Sequence, residues 1–543
     1  MSNSRGADSL VQALAAAGVR HVFSLSGNHI MPVYDALLGS GIEIIHVRHE
    51  AAAVHMADAY ARLTGEVGVA LVTGGQGHTN AVAALTTAQC ADSPVLLLSG
   101  HAPLGEIGLG AFQELRQADL AEPVTKASWT ATSTAGLGAE VARAISLARS
   151  GRPGPVHLSL PTDVVEAVHA DLTPPPASAF APLTQPVAAA TAIALLGLID
   201  GASRPLIVAG PMLAARAPRA TLATLEAALG VPTVVMESPR GLNDPALGAF
   251  AGIAARADLV VLVGKPLDFT LRFARSPHFA ADCRFAVIDP EPAMLARAGR
   301  VLGARLDLAT LGDAAAAVSA LAAAIVGRTP RHAGWLDEAR THIAHRPAEW
   351  ATARALQADR LHPAAMLRPI ADVMARHPEA VFVADGGEIG QWAQAIVPAR
   401  RRVINGVAGS IGAGLPFALA ARVVEPHAPV IAVMGDGTFG FHMAEFDTAV
   451  RHRLPFVAVV GNDACWNAEH QIQLREYGPE RAHACTLLPT RYDRVAEALG
   501  GYGELVTTTE EMAPALERAL AAGGPACLNV MIEGLAAPVV RRA

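Results

Sequence analysis

Met434-Gly435-Asp436-Gly437-Thr438-Phe439-Gly440 is a glycine-rich segment set between two apolar runs. Before it, Pro429-Val430-Ile431-Ala432-Val433 reads as a buried strand; after it, His442 to Val450 places apolar residues at helical spacing. Leu454-Pro455 ends that helix, and Phe456-Val457-Ala458-Val459-Val460 reads as a second buried strand. Strand, glycine loop, helix, strand is a βαβ unit, whose two strands lie parallel with a right-handed crossover. Both strands then end on one edge of a sheet, Asp436 just past the first and Asp463 just past the second. Open α/β sheets bind ligands at that carboxyl edge.

Gly435, Gly437 and Gly440 fit the GxGxxG spacing of a dinucleotide site. A nicotinamide dehydrogenase would rest on that spacing alone, and Asp436 would set a bare carboxylate against the pyrophosphate. A divalent cation removes the conflict, because Mg²⁺ takes hard oxygen ligands and commonly bridges carboxylates to a diphosphate. The residues therefore read as a Mg²⁺-diphosphate site. The plainer alternative is a solvated loop in which Asp436 caps the following helix.

The rest of the chain extends this alternation. Strands are expected at His21–Leu25, Ile42–Val47, Val67–Thr73 and Pro94–Leu98, then at 205–210, 231–235, 259–264 and 285–289, and finally at 381–384 and 526–532. Strands alternating with helices predict an α/β protein of doubly wound parallel sheets. Its 543 residues exceed one core and suggest about three domains. We place them at 1–170, 188–328 and 360–543. The proline-rich stretch Thr173–Pro186 and a helical linker from about Arg331 to Ala358 join them.

Composition excludes several classes. No apolar run approaches the roughly 18 to 20 residues of a spanning helix. The start, Met1 to Asp8, lacks a signal peptide's apolar stretch. Five scattered cysteines without metal-type spacing fit a reducing compartment. These features predict a cytoplasmic protein with no membrane partner, and a formal charge of -7 argues against nucleic acid.

Glu50 ends a strand and opens an alanine-rich helix, a partly desolvated place where a carboxyl holds its proton more easily than in water. Alone, it would equally serve as a helix N-terminal charge. Thr73-Gly74-Gly75-Gln76-Gly77 reads as a tight strand-to-helix turn. Gly386-Gly387-Glu388 closes a strand where a backbone can approach a phosphate.

Gly435-Asp436-Gly437, followed some two dozen residues on by a strand ending in Asn462-Asp463, resembles the motif of thiamine-diphosphate enzymes. Asp463 stands where that family usually has Asn. The resemblance spans nearly the whole chain and implies a pyrimidine-binding, a central and a diphosphate-binding domain, with thiamine diphosphate and Mg²⁺ as cofactors. It implies Asp436, Asp463 and the backbone carbonyl of Cys465 as metal ligands; a one-residue slip would make Asn462 the ligand instead. Gly435, Gly437 and Thr438, with Gly387, Glu388 and Ile389, are the implied surroundings of the diphosphate. Gly409, Ser410 and Ile411 follow, Ile411 being the implied wedge that keeps the cofactor bent. Arg48-His49-Glu50 resembles the segment whose Glu hydrogen-bonds the aminopyrimidine ring and so activates the thiazolium carbon. The turn at Thr73 resembles the one beside that ring.

A closer resemblance is to benzaldehyde lyase, the 2-hydroxyacyl-CoA lyases and the oxalyl-CoA decarboxylases. It rests on Ser26-Gly27-Asn28-His29, Arg48-His49-Glu50, Phe112-Gln113, and Gly435-Asp436-Gly437 with Glu445-Phe446-Asp447-Thr448. It implies His29 and Gln113 as proton handlers on the substrate's alcohol and carbonyl. Asn28, Phe112, Trp466, Ala468 and Ile472 are the implied pocket; Asn28 stands where benzaldehyde lyase has a small residue. The implied activity is a lyase or carboligase on a 2-hydroxyacyl-CoA or 2-hydroxy ketone, through a ylide and a carbanion-enamine. An acetolactate-synthase-type transferase using pyruvate is the alternative. A non-catalytic thiamine-diphosphate protein is a third reading, against which an intact Glu50 speaks. In relatives the central domain is structural or carries FAD or ADP, and Gly264-Lys265-Pro266-Leu267-Asp268 gives no decisive signature of either. The family places each active site between the first domain of one subunit and the third of another, which implies a homodimer or homotetramer.

Overall fold

Apolar runs short enough for strands and separated by helices leave the chain one way to bury both sheet faces, which is to wind helices on both sides. The computed structural model describes residues 4–169, 173–325 and 327–542, and within them shows three parallel sheets. The first contains β1 (His21–Ser24), β2 (Glu43–His46), β3 (Gly68–Val72), β4 (Val95–His101), β5 (Ala127–Thr130) and β6 (Val156–Pro161), in the order β2-β1-β3-β4-β6-β5. The second contains β7 (Pro205–Ala209), β8 (Thr233–Val235), β9 (Leu259–Val263), β10 (Arg284–Asp289) and β11 (Leu306–Leu311), in the order β8-β7-β9-β10-β11. The third contains β12 (Val381–Ala384), β13 (Arg401–Ile404), β14 (Val430–Gly435), β15 (Val457–Asn462), β16 (Tyr502–Val506) and β17 (Ala526–Met531), in the order β13-β12-β14-β15-β17-β16. A two-residue antiparallel pair, Ser4–Arg5 with Val168–His169, adds to these.

The chain up to Thr184, together with Leu419–Val424 and Ala444–Leu454, forms one compact unit; the remainder forms a second. The boundary drawn at residue 170, and the chain ends at 1 and 543, lie outside the described residues.

Strand alternation builds the cores. In the second sheet Leu206, Val208, Val260 and Leu262 enter one apolar cluster, and Ile207, Ala209, Val261 and Val263 enter another on the opposite face. In the first, Leu96, Leu98, Leu158 and Leu160 face a cluster built with the helices Gly6–Ala16 and Leu137–Arg149. On its other side lies α1 (Glu50–Thr64), followed in the chain by α2 (Gln76–Cys90). A Cβ at Gly68 would sit 1.9 Å from the carbonyl oxygen of Ala57, so the glycine lets α1 lie directly on the sheet.

Two connections are more structured than the sequence suggested. Phe180, in the proline-rich stretch, is buried in the first core. The segment from Arg331 to Ala358 is a helix over Ala333–Ala344 and a short turn at Ala348–Ala351, with Trp335 and Ala339 in a core of the second sheet.

One expectation is corrected. The glycine segment is not a loop ahead of a helix at His442. Helix α4 (Asp436–His442) starts at Asp436 itself, with Gly435 as its extended N-cap, and α5 (Glu445–Arg451) follows after a shallow interruption. Gly437 is inside α4 because the indole of Trp466 lies against it: a Cβ there would be 2.5 Å from the ring. No helix among the described residues is long and apolar enough to cross a membrane.

Candidate active site

In the third sheet β12 has β13 on one side and β14 on the other, so the crossovers leaving β12 and β14 diverge and open a crevice at their carboxyl ends. Gly387 and α3 (Glu388–Ile396) follow β12, Asp436 follows β14, and Asp463 follows β15. The register pairs Gly435 with Gly461, so both carboxylates leave the same edge, Asp463 one residue beyond the level of Asp436. They line a single depression with Gly387, Ile389, Ile411, Thr438 and Cys465, under Trp466 and Ala468.

The depression is short of positive charge. Asp436 is 1% exposed and its Oδ2 has no hydrogen-bond partner among the described residues. Burial pushes its carboxyl up to about 6 against the pull of nearby backbone N–H groups. Asp463 is pushed up to about 7, first by burial and then by the charge of Asp436. A buried carboxylate with an orphaned oxygen and a half-buried one beside it form a hard-oxygen donor set that suits a divalent cation. Burial holds the Cys465 thiol up at about 11, so the carbonyl is the group this residue offers a hard ion.

Asn462 is committed elsewhere. Its Nδ2 donates to the carbonyl of Thr490 and to Oδ1 of Asn529, each at 3.0 Å, and its Oδ1 accepts from Ala464 N–H. The slip that would make Asn462 a ligand is therefore not favoured by this geometry, while Asp463 lines the depression. The covering segment is stitched down, Trp466 N–H donating to Cys485 and Leu487 N–H to Ala464, both at 2.7 Å. Ala468 leads α6 (Asn467–Glu476) over Gly387, where a Cβ would approach its methyl to 2.8 Å.

Other expected residues sit differently. Glu388 lines the depression, but its carboxylate accepts from Ala537 N–H at 2.6 Å with Arg240 at 3.9 Å, so its side chain is engaged by the C-terminal segment. Ile411 is a wall; Gly409 and Ser410 precede it and are not. Ile472 is 43% exposed, one turn past the walls. Lys265, in the candidate nucleotide segment of the central domain, is buried and donates to the Asp268 carboxylate at 2.9 Å. Its charge is thus neutralised within the segment.

The first sheet repeats the switch point with different chemistry. His29 follows β1 and Thr73 follows β3. Nδ1 of His29 lies 3.1 Å from Oγ1 of Thr73, and the ring stacks on Phe112 with centroids 5.8 Å apart. His29 is buried, which lowers its pKa and keeps the imidazole neutral. Asn28 beside it is exposed, as is Phe112 on its outer side. Gln113 holds a left-handed φ of 55° and donates from Nε2 to Oε1 of Gln76 at 3.0 Å. Glu50 is buried at the first position of α1, where Nδ2 of Asn80 donates to its Oε2 at 3.0 Å. Gly77 keeps the space between Thr73 and Glu50 open: a Cβ would be 2.8 Å from the Thr73 methyl and 3.2 Å from Oε1 of Glu50.

Several residues that hold these groups were not singled out beforehand. Asp385 accepts from the N–H groups of Gly386, Gly412 and Gly414, tying the end of β12 to the Ile411 loop. Asn529, with Asn462, braces the end of β15. Gln117 accepts from Gly75 N–H and donates to the carbonyl of Gly100. Asn529 carried a readable signal, an amide inside the apolar run Ala526–Met531. Gln117 carried none.

Comparison with known proteins identifies the family. The family signature described as thiamine pyrophosphate enzyme, N-terminal TPP binding domain, matches residues 4–120, and its C-terminal TPP binding domain counterpart matches residues 385–530. The chain is 34% identical over 537 residues to the acetolactate synthase large subunit of Mycobacterium tuberculosis, covering 96% of this chain and 95% of that protein. It is 31% identical over 590 residues to 2-hydroxyacyl-CoA lyase 2 of Danio rerio, covering 97% and 91%. Against 2-hydroxyacyl-CoA lyase 2 of Homo sapiens it is 32% identical over 550 residues, covering 93% and 86%.

Proposed function

Since the chain belongs to the thiamine pyrophosphate enzymes, we propose that it makes and breaks a carbon–carbon bond beside a carbonyl, as a lyase and carboligase acting on a 2-hydroxyacyl-CoA or a 2-hydroxy ketone. Thiamine diphosphate supplies the electron sink for charge left on the former carbonyl carbon. Asp436, Asp463 and the Cys465 carbonyl would hold Mg²⁺, which would neutralise the charge of the cofactor's diphosphate. Glu50 holds and returns the proton that activates the cofactor. Each site forms between subunits of a homodimer or homotetramer.

The observation that carries the lyase reading is His29, buried, neutral, bonded to Thr73 and covered by Phe112. Cleaving a 2-hydroxy compound requires its hydroxyl proton to leave, and a neutral imidazole is a suitable acceptor. A 2-keto acid has no such hydroxyl and loses carbon dioxide without that base. Gln113 supplies a carboxamide for the adjoining carbonyl.

A donor competition tests this reading. The purified protein, with thiamine diphosphate and Mg²⁺, is given pyruvate and a 2-hydroxyacyl-CoA together, and products are read by mass spectrometry. Formyl-CoA with a released aldehyde or ketone is expected. Acetolactate as the sole product would overturn the lyase reading in favour of a synthase.

A further inference from the structure

Glu445 is a carboxylate that the mechanism above does not use, and it is almost fully buried, at 1% exposure. It opens α5, yet it is spent on a backbone turn nearly four hundred positions earlier in the chain. Its Oε1 and Oε2 accept from the N–H of Arg48 at 3.0 and 3.3 Å, and the N–H of His49 also donates to it. The Thr448 hydroxyl donates to Oε2 at 2.6 Å and fixes the carboxylate's orientation.

These contacts fall on the turn that delivers Glu50. Arg48 and His49 are the two residues before it, and His49 is the N-cap of α1, its Nδ1 accepting from Ala51 N–H at 3.1 Å. The same C-terminal segment holds the strand end just upstream. Nε2 of His452 accepts from His46 N–H at 3.0 Å, and the Arg451 guanidinium donates to the His46 carbonyl at 2.7 Å. The run His46–His49 is thus fixed through its backbone by side chains from 445–452, whatever the side chains of Arg48 and His49 do.

A buried carboxylate that forms no ion pair among the described residues, with only the more distant charge of Arg451 to offset its burial, is an expensive way to hold a turn. Burial pushes the Glu445 carboxyl up to about 7, with Thr448, the Arg48 N–H, the Arg451 charge and the His49 N–H pulling the other way. An apolar residue would fill the space more cheaply, but it would leave two amide donors unpaired and the turn free to shift.

We infer that Glu445 is a positioning residue for Glu50, fixing the turn Arg48–His49 so that the Glu50 carboxyl meets the cofactor's ring at hydrogen-bonding distance. The inference rests on the proposed role of Glu50. A small displacement of a proton-transfer group costs rate much more than binding.

The test uses the holoenzyme with thiamine diphosphate and Mg²⁺ and compares Glu445→Gln with Glu50→Gln. Glu445→Gln keeps the shape but faces an N–H against N–H at one of its contacts. It should lower kcat by about 10- to 100-fold, leave KM and cofactor affinity near wild type, and weaken the near-ultraviolet circular dichroism band of the cofactor's imino tautomer. Thr448→Val frees the carboxylate to rotate and should give the same pattern more weakly, which keeps the test usable if Glu445→Gln does not fold. Wild-type kcat and tautomer signal in the variant that folds would overturn the inference. So would lost stability or cofactor affinity with unchanged kcat per bound cofactor. If Glu50→Gln itself is fully active, it is the proposed role of Glu50 that fails.

Discussion

Asp463 carries the sharpest residue-scale consequence. It stands where thiamine-diphosphate enzymes usually have Asn, and it is pushed up to about 7 by burial and by Asp436. Asp463→Asn should relieve that repulsion, raising the melting temperature of the metal-free protein at pH 8 while cofactor binding persists. Asp436→Ala removes the carboxylate with the orphaned oxygen and should abolish Mg²⁺-dependent cofactor binding; calorimetry showing unchanged affinity would refute the metal site. His29→Ala should lower kcat by about 100-fold with cofactor affinity unchanged, and unaltered steady-state kinetics would remove His29 from the mechanism. The charged ends of strands were legible because an acid directly after an apolar run has few structural roles. Asp385 and Gln117 were not, since a polar residue that braces other backbone looks in sequence like any surface residue.

At the scale of elements, legibility followed burial with one exception, the buried strand β6. The central strands β3, β4, β9, β14 and β15 are buried on both faces and show as apolar runs. Of the five parallel strands not anticipated, β5, β11, β13 and β16 are sheet edges, while β6 lies inside the first sheet, where His157 and Ser159 interrupt its apolar residues. β11, for example, alternates half-buried with exposed residues over Leu306–Leu311 and shows no run at all. The start of α4 was hidden for a different reason, because Gly437 marks close packing against Trp466 rather than a loop. Between the first sheet and α2 a histidine pair makes a prediction. His78 and His157 lie with ring centroids 4.5 Å apart, near His101 and the Gln117 backbone. Burial lowers His78 from 6.5 to about 4 and His157 well below its usual range. The unfolded chain therefore takes up protons that the fold refuses, and stability falls as pH drops from about 6.5 towards 4. The His78 share is roughly 3 kcal/mol at most. Denaturant midpoints should show this acid limb, and it should be shallower in His78→Gln.

The whole molecule repeats one device. The first and third sheets share a strand order, and under the proposed function each would supply a half-site at its carboxyl edge: Glu50, His29 and Thr73 in one, Asp436 and Asp463 in the other. That repetition was only partly visible in sequence, because the two half-sites share topology but no motif. The substrate was not visible at all: pocket shape depends on covering segments such as Ala464–Ala468, whose course is set by contacts with Cys485 and Leu487 far along the chain. If each active site is completed by a second subunit, specific activity should fall on dilution below the dissociation constant and return on concentration. The central claim is that Glu50 activates the cofactor held at the Asp436 site. Exchange of the thiazolium C2 proton for deuterium on bound thiamine diphosphate, followed by quenched-flow NMR in wild type and in Glu50→Gln, measures that activation directly. The account predicts exchange slowed by about 100-fold or more in the variant with the cofactor still bound; equal exchange rates in the two proteins would contradict it.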